Sequence, residues 1–210
     1  MGNYAIRLLL VILFFNSFSL FAQPGLPLNV RQKIVIQLKK WASTFSAFKA
    51  DSFAQSDSVS VNYNPGADGY YDQLDSFYAI YKPLIRFSPD KRYFIDSYSY
   101  QLNLEREGNH FAANPEIDQQ VMLYDTKTGK TNILFFGGSD SWIDEENWID
   151  NNTVLLAGVQ KDESAARHPF FYLVDVKKGL IIKYQCRNDS CIQSRLYKSP
   201  RLAAMKITGM

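Results

Sequence analysis

The sequence predicts a mainly β fold made of antiparallel, blade-like meanders, preceded by an amphipathic helix at the N-terminus. Apolar runs separated by short polar turns recur through the second half of the chain. Aromatic residues, which favour sheets, make up 15% of the chain. Apolar residues spaced three and four apart, the mark of a helix, are concentrated between residues 29 and 53.

The first 22 residues have the pattern of a secretory signal peptide. Arg7 supplies a positive charge, residues 8–15 are an unbroken apolar run, and Ala22 is a small residue suited to cleavage before Gln23. That run is well short of the roughly 20 residues that span a bilayer. We therefore expect an exported protein, periplasmic or extracellular, in which a lead and helix (23–57) precede an antiparallel β domain (58–210).

The charge of the exported chain is close to balanced. Without residues 1–22 it has 22 basic and 21 acidic side chains. Such a chain has no overall field that would attract nucleic acid. No stretch after the signal is long enough to predict a transmembrane helix.

One apolar stripe defines the N-terminal helix, and it consists of Ile34, Leu38, Trp41, Phe45 and Phe48. The basic residues of the segment fall largely outside this stripe. The pattern suits either a helix packed on the sheet or one bound to a membrane surface, and packing is the favoured interpretation.

The clearest strand signal lies between residues 86 and 105. After the turn at Pro89, apolar and polar residues alternate from Tyr98 to Leu104, which predicts a half-buried strand. We expect a loop over 105–119, hairpins over 121–136 and 170–185, a strand over 153–159 and a last strand over 192–197. The basic tail from Arg195 is expected to be solvated.

Two turns of the form D-x-x-x-G, at 125–129 and 175–179, give this half an internal repeat. The stretch 87–94 (FSPDKRYF) resembles the opening of TolB-like and WD40-like β-propeller repeats, and 123–130 (LYDTKTGK) resembles their strand and turn. The resemblance covers residues 84–185. It implies blade-like meanders that do not form a closed ring, because two units are fewer than a propeller needs.

No catalytic motif is present, and the sequence predicts no catalytic residue, cofactor or metal site. The densest acidic run extends from Asp140 to Asp150 and is expected to be an exposed loop anchored by its Trp residues. Its candidate binding residues are Trp142, Asp144, Glu145 and Trp148. The alternative is an exported, carbohydrate-directed hydrolase that uses paired carboxylates between Asp144 and Asp150.

Cys186 and Cys191 are the only two cysteines and enclose a polar turn. In an oxidising compartment this pattern predicts a disulfide, with half of a zinc site or a redox pair as alternatives. Together these features predict an exported, non-catalytic domain that binds a protein or a component of the cell envelope.

Overall fold

The computed structural model describes residues 23–61 and 70–209 and shows a mainly β protein. Its sheets are antiparallel except for one short parallel pair, and none of the sheets in these two ranges closes on itself. The predicted signal peptide and residues 62–69 lie outside the described residues.

The described strands are short to medium in length. In chain order they are β1 (Phe53–Ser60), β2 (Arg86–Phe87), β3 (Tyr93–Asp96), β4 (Leu104–Glu107), β5 (His110–Ala113), β6 (Gln119–Asp125), β7 (Thr131–Gly137), β8 (Ser141–Trp148), β9 (Thr153–Lys161), β10 (Arg167–Asp175), β11 (Leu180–Cys186) and β12 (Ile207–Thr208). The helices are α1 (Leu28–Gln37), α2 (Lys39–Ala42), α3 (Leu74–Tyr81), α4 (Ser99–Leu102) and α5 (Pro200–Ala203), with a 3₁₀ turn at Ala50–Ser52.

These strands form three sheets. The largest has the order β1-β11-β10-β9-β8, the second has the order β2-β3-β6-β7, and a small one has the order β12-β5-β4. The two predicted hairpins are confirmed as β6–β7 and β10–β11. Gly129 and Gly179 end their turns at φ of 72° and 62°, a left-handed conformation that glycine adopts without strain.

The two larger sheets pack face to face and are covered on their outer faces as well. In β9, Val154 and Leu156 point towards the second sheet, whereas Leu155 and Val159 point towards the N-terminal helices. Strand β6 alternates in the same way between the two faces of its sheet. The apolar residues therefore run almost continuously along these strands, since both faces are buried.

The N-terminal helices cover the outer face of the large sheet. Ile34, Leu38, Trp41 and Phe45 of the predicted stripe are all buried there, and Phe48 packs beside them. The Trp41 ring lies 5.3 Å from that of Phe171 on β10. The sequence predicts a helical pattern up to residue 53, but the helices end at Gln37 and Ala42, and strand β1 begins at Phe53.

The strand predicted from Tyr98 to Leu104 is wrong. Strand β3 ends at Asp96, and the chain turns into α4 before β4 begins. The buried Asp96 carboxylate accepts hydrogen bonds from the backbone N–H groups of Tyr98 (3.1 Å) and Ser99 (3.0 Å). A side chain that satisfies the backbone in this way starts a helical turn and ends the strand.

Two further expectations are corrected. The predicted loop after Glu105 contains β4 and β5, which pair with each other and with β12. Residues 192–197 are all described and form no strand; within this segment only Gln193 forms an isolated bridge, with Phe45. Ser194 instead donates its backbone N–H to Thr44, so this segment lies against the end of α2.

Candidate functional site

The acidic run lies mostly on β8, an edge strand of the large sheet, and not in the exposed loop that the sequence suggests. Trp142, Asp144, Glu145 and Trp148 are all on this strand. Their side chains have different surroundings, so the structure does not bring all four together into one open surface.

A β-bulge at Asp144 sets the directions of the acidic side chains. Ile143 pairs with Gly158 and Glu145 pairs with Ala157, which leaves Asp144 as the extra residue. A Cβ atom on Gly158 would lie 2.4 Å from the carbonyl oxygen of Trp142 and 2.8 Å from Phe170 Cζ. The close approach of β8 and β9 at the bulge therefore requires glycine at this position.

Asp144 is held by two indoles. Its Oδ2 accepts from Trp41 Nε1 at 2.8 Å, and its Oδ1 accepts from Trp142 Nε1 at 3.0 Å. Burial raises the pKa of the Asp144 carboxyl to about 6, although both indole bonds favour the ionised form. The bulge residue thus ties β8 to helix α2.

Glu145 and Glu146 are both bound by Arg201 of α5. Glu145 Oε2 accepts from Arg201 Nη2 at 2.9 Å, and Arg201 Nη1 donates to Glu146 Oε1. The side chains of Arg201, Glu145 and Glu146 are 8%, 5% and 0% exposed. Consecutive residues of a strand point to opposite faces, so Glu145 and Glu146 lie on opposite faces of β8. Arg201 binds both carboxylates and therefore lies at the open edge of this strand.

The remaining carboxylate oxygens have donors as well. Glu145 Oε1 accepts from Tyr197 Oη at 2.8 Å and from Ser199 Oγ at 2.7 Å, and Glu146 Oε2 accepts from Ser97 Oγ at 3.2 Å. Burial raises the pKa of the Glu146 carboxyl, and the charge of Arg201 opposes that shift. The two glutamates are thus enclosed by donors from distant parts of the chain.

Arg201 is in turn held by residues that flank strands β2 and β3 of the second sheet. Its Nη1 also donates to the carbonyl of Leu84, and its guanidinium lies 5.2 Å from the Tyr98 ring centroid. Burial acts to lower the pKa of the guanidinium, but the charges of Glu146 and Glu145 and the hydrogen bond to Glu146 together outweigh it, and the pKa rises. The expectation of a solvated basic tail is therefore wrong for Arg201. A lone Arg in a basic segment gives no sequence signal of such partners.

The two Trp residues have different roles. Trp148 donates from Nε1 to the carbonyl of Arg86 at 2.9 Å and stacks on Tyr93, so it joins the two large sheets. Trp142 is partly exposed, with Arg167 Cζ 5.0 Å and Lys161 Nζ 5.8 Å from its ring centroid. We call Trp142, Lys161 and Arg167 the Trp142 surface.

Neither histidine joins the acidic strand. His110 Nε2 lies 3.2 Å from Glu107, and His168 Nε2 lies 2.9 Å from Asp162. Within 23–61 and 70–209, no group of three or more His, Cys, Asp or Glu residues has a geometry that would hold a metal ion.

Cys186 and Cys191 are unbonded neighbours at the end of β11. Cys191 is buried, whereas Cys186 lines an open cleft of about 510 Å³ that also contains Asp162 and His168. A hydrogen bond from the Cys191 thiol lowers the pKa of Cys186 to about 6, against the effect of burial.

Among the described residues, no helix is both long and apolar enough to cross a bilayer. No protein-family model, curated protein or solved structure matches the chain.

Proposed function

We propose that the chain is an exported, non-catalytic domain that binds a protein or a component of the cell envelope. The observation that carries this proposal is the enclosure of Glu145 and Glu146 by Arg201. The three middle carboxyl groups of the acidic run, those of Asp144, Glu145 and Glu146, bind partners inside the protein and are not free for acid–base chemistry.

The alternative, a carbohydrate-directed hydrolase, needs two carboxyl groups that face each other across a sugar, roughly 5–10 Å apart. Glu145 and Glu146 are adjacent in sequence and share one cation. Asp144 has a raised pKa that would suit an acid, yet both of its oxygens accept from indoles. This arrangement favours the non-catalytic proposal.

We also propose that each of the two larger sheets contains a blade-like meander. Strands β8 to β11 lie side by side in chain order, and β2, β3, β6 and β7 do the same, with β4 and β5 inserted. Four sequential antiparallel strands are the unit of a propeller blade. The motifs at 87–94 and 123–130 fall in the second sheet, and this supports the resemblance to TolB-like and WD40-like repeats.

Export is part of the proposal and rests on the signal pattern of residues 1–22. We propose that the oxidising destination joins Cys186 to Cys191, whose unbonded thiols are already neighbours. Such a bond would fix the end of β11 beside the cleft.

The Trp142 surface is the proposed contact site, because Trp142 is the one candidate residue whose partly exposed ring has two cations beside it. It combines a partly exposed aromatic ring with two partly exposed cations, of which Lys161 also donates to the carbonyl of Ser139 at 2.6 Å and pairs with Asp140. Aromatic and Arg residues are enriched in binding surfaces.

Affinity capture tests the proposal. Purified chain 23–210 is immobilised and exposed to an envelope extract. The test variant is Lys161→Glu/Arg167→Glu. The control is Lys127→Glu/Lys177→Glu, which reverses two exposed charges on hairpin turns. We expect the first variant to lose the captured component and the second to retain it. Equal capture by both variants would exclude this surface, and hydrolysis of glycans that Asp144→Asn abolishes would overturn the non-catalytic proposal.

A further inference from the structure

Helix α1 has a second apolar stripe on the face that points away from the sheet. Leu28, Val35 and Ile36 are 63%, 61% and 75% exposed. They are seven and eight residues apart, so they lie on one side of the helix together with Arg31 and Gln32. None of these exposed residues belongs to the stripe that packs on the sheet.

The fold does not need this outer stripe. Val30 and Ile34 are 1% and 0% exposed on the opposite side of α1 and already join it to the core. A contiguous apolar patch that remains exposed next to polar residues is typical of an interaction site.

A shallow groove runs along the same face. Its volume is about 430 Å³, and it lies between α1 and the turn at Ala50 and Asp51. Arg31 lines the groove, and its Nε is buried with no hydrogen-bond partner among the described residues. Arg31 therefore places a positive charge in the groove.

The segment that contains α1 and α2 has a net positive charge. Residues 23–50 contain no acidic side chain and five basic ones: Arg31, Lys33, Lys39, Lys40 and Lys49. Arg195 adds a further cation beside α2, where its Nη2 donates to Ser43 Oγ at 2.8 Å. Asp51 is the one acidic residue among those that line the groove.

We propose that this face docks on the anionic phospholipid surface of a bilayer. Leu28, Val35 and Ile36 enter the boundary between headgroups and acyl chains, and the surrounding Lys and Arg side chains meet the lipid phosphates. A helix with apolar residues on one side and cations around them lies in the plane of such an interface. We call Leu28, Arg31, Gln32, Val35 and Ile36 the α1 surface. It shares no residue with the Trp142 surface, and the inference goes beyond the proposed function by adding a second contact.

A second copy of the chain fits the α1 surface less well. A symmetric dimer through α1 would bring the cations of one copy, including Arg31, against those of the other, and like charges at an interface oppose association. The phosphates of an anionic bilayer neutralise the same cations. Charge complementarity therefore selects the lipid surface.

Vesicle co-sedimentation of purified chain 23–210 tests the inference directly. The two probes are vesicles of phosphatidylethanolamine with phosphatidylglycerol and vesicles of phosphatidylcholine alone. The test variants are Val35→Asp/Ile36→Asp and Lys39→Glu/Lys40→Glu. The matched controls are Ile117→Asp, an apolar residue 79% exposed elsewhere on the chain, and Lys127→Glu/Lys177→Glu. Circular dichroism verifies that each variant is folded, which we expect because every substituted side chain is exposed.

We expect binding to the anionic vesicles only, with a loss of about tenfold or more in partition for both test variants and no change for the controls. Absence of binding to anionic vesicles would overturn the inference, as would equal binding by Val35→Asp/Ile36→Asp. A dimer that dissociates in that variant without any vesicle binding would instead assign the α1 surface to self-association. Capture through the Trp142 surface is measured separately, so either proposal can fail alone.

Discussion

Arg201 and Glu146 form an ion pair in which the carboxylate is fully buried and the guanidinium is 8% exposed. One residue lies in the C-terminal helix α5 and the other on the edge strand β8, with 54 residues between them in the sequence. The same guanidinium also binds Glu145. The pair therefore anchors the C-terminal segment to the open edge of the large sheet.

Removing this anchor is expected to destabilise the protein strongly. The variant Arg201→Met keeps much of the side-chain volume but leaves two buried carboxylates without their cation, at a cost of about 3–5 kcal/mol. Urea unfolding followed by circular dichroism gives the free energy of unfolding. Arg195→Met, an exposed Arg in the same segment, is the control and is expected to change it by less than about 1 kcal/mol. A similar loss of unfolding free energy in the two variants would show that Arg201 does not anchor the C-terminal segment.

Asp144 is expected to make stability depend on pH. Its folded pKa, about 6, lies above the unfolded value of about 3.9, so the folded state holds the proton more tightly. The contribution of the Asp144 proton to stability amounts to up to about 3 kcal/mol. It is complete below about pH 4 and is lost as the pH rises through about 6. Asp144→Asn removes this contribution, so the difference in unfolding free energy between wild type and variant should change across that range. A difference that stays constant from pH 4 to pH 7 contradicts the assignment.

Gly158 is expected to tolerate no side chain. In Gly158→Ala the new methyl group would meet Trp142 and Phe170 at the bulge, and overpacking of this kind costs about 1–3 kcal/mol. Gly25→Ala is the control, because its nearest contact would be an ordinary 3.4 Å from the Phe53 carbonyl oxygen. Thermal unfolding of both variants measures the cost. Equal melting temperatures would mean that the strands can move apart at the bulge.

The cysteine pair gives a prediction about the exported chain. We expect the protein purified from an oxidising compartment to lack free thiols, and reduction to lower the free energy of unfolding by about 2 kcal/mol, as for a short closed loop. Thiol titration under denaturing conditions counts the free thiols. Cys186→Ser/Cys191→Ser should be insensitive to reductant. Two titratable thiols in the untreated exported protein would refute the predicted disulfide.

The parts of the fold that depend on local signals could be predicted from the sequence. The hairpins closed by Gly129 and Gly179 require only a turn between two apolar runs, and both are present. The strand expected from Tyr98 failed because the Asp96 side chain bonds to the backbone, an effect that alternation of apolar residues does not reveal.

The candidate site could be predicted only in part. The acidic run was identified, but its burial depends on Arg201, Ser199 and Tyr197, which are more than 50 residues away in the sequence. The bulge at Asp144 depends on its pairing with β9 and likewise has no local signal. Contacts between distant segments decided whether these carboxylates face solvent or the interior.

The acidic strand stabilises the fold because Arg201 neutralises Glu145 and Glu146 in the interior. The most direct measurement is the free energy of unfolding of the triple variant Glu145→Gln/Glu146→Gln/Arg201→Met, compared with Arg201→Met alone. Neutralising both carboxylates removes the uncompensated buried charge, so the account predicts that the triple variant recovers at least about 2 kcal/mol of the loss. A triple variant no more stable than Arg201→Met would contradict the claim.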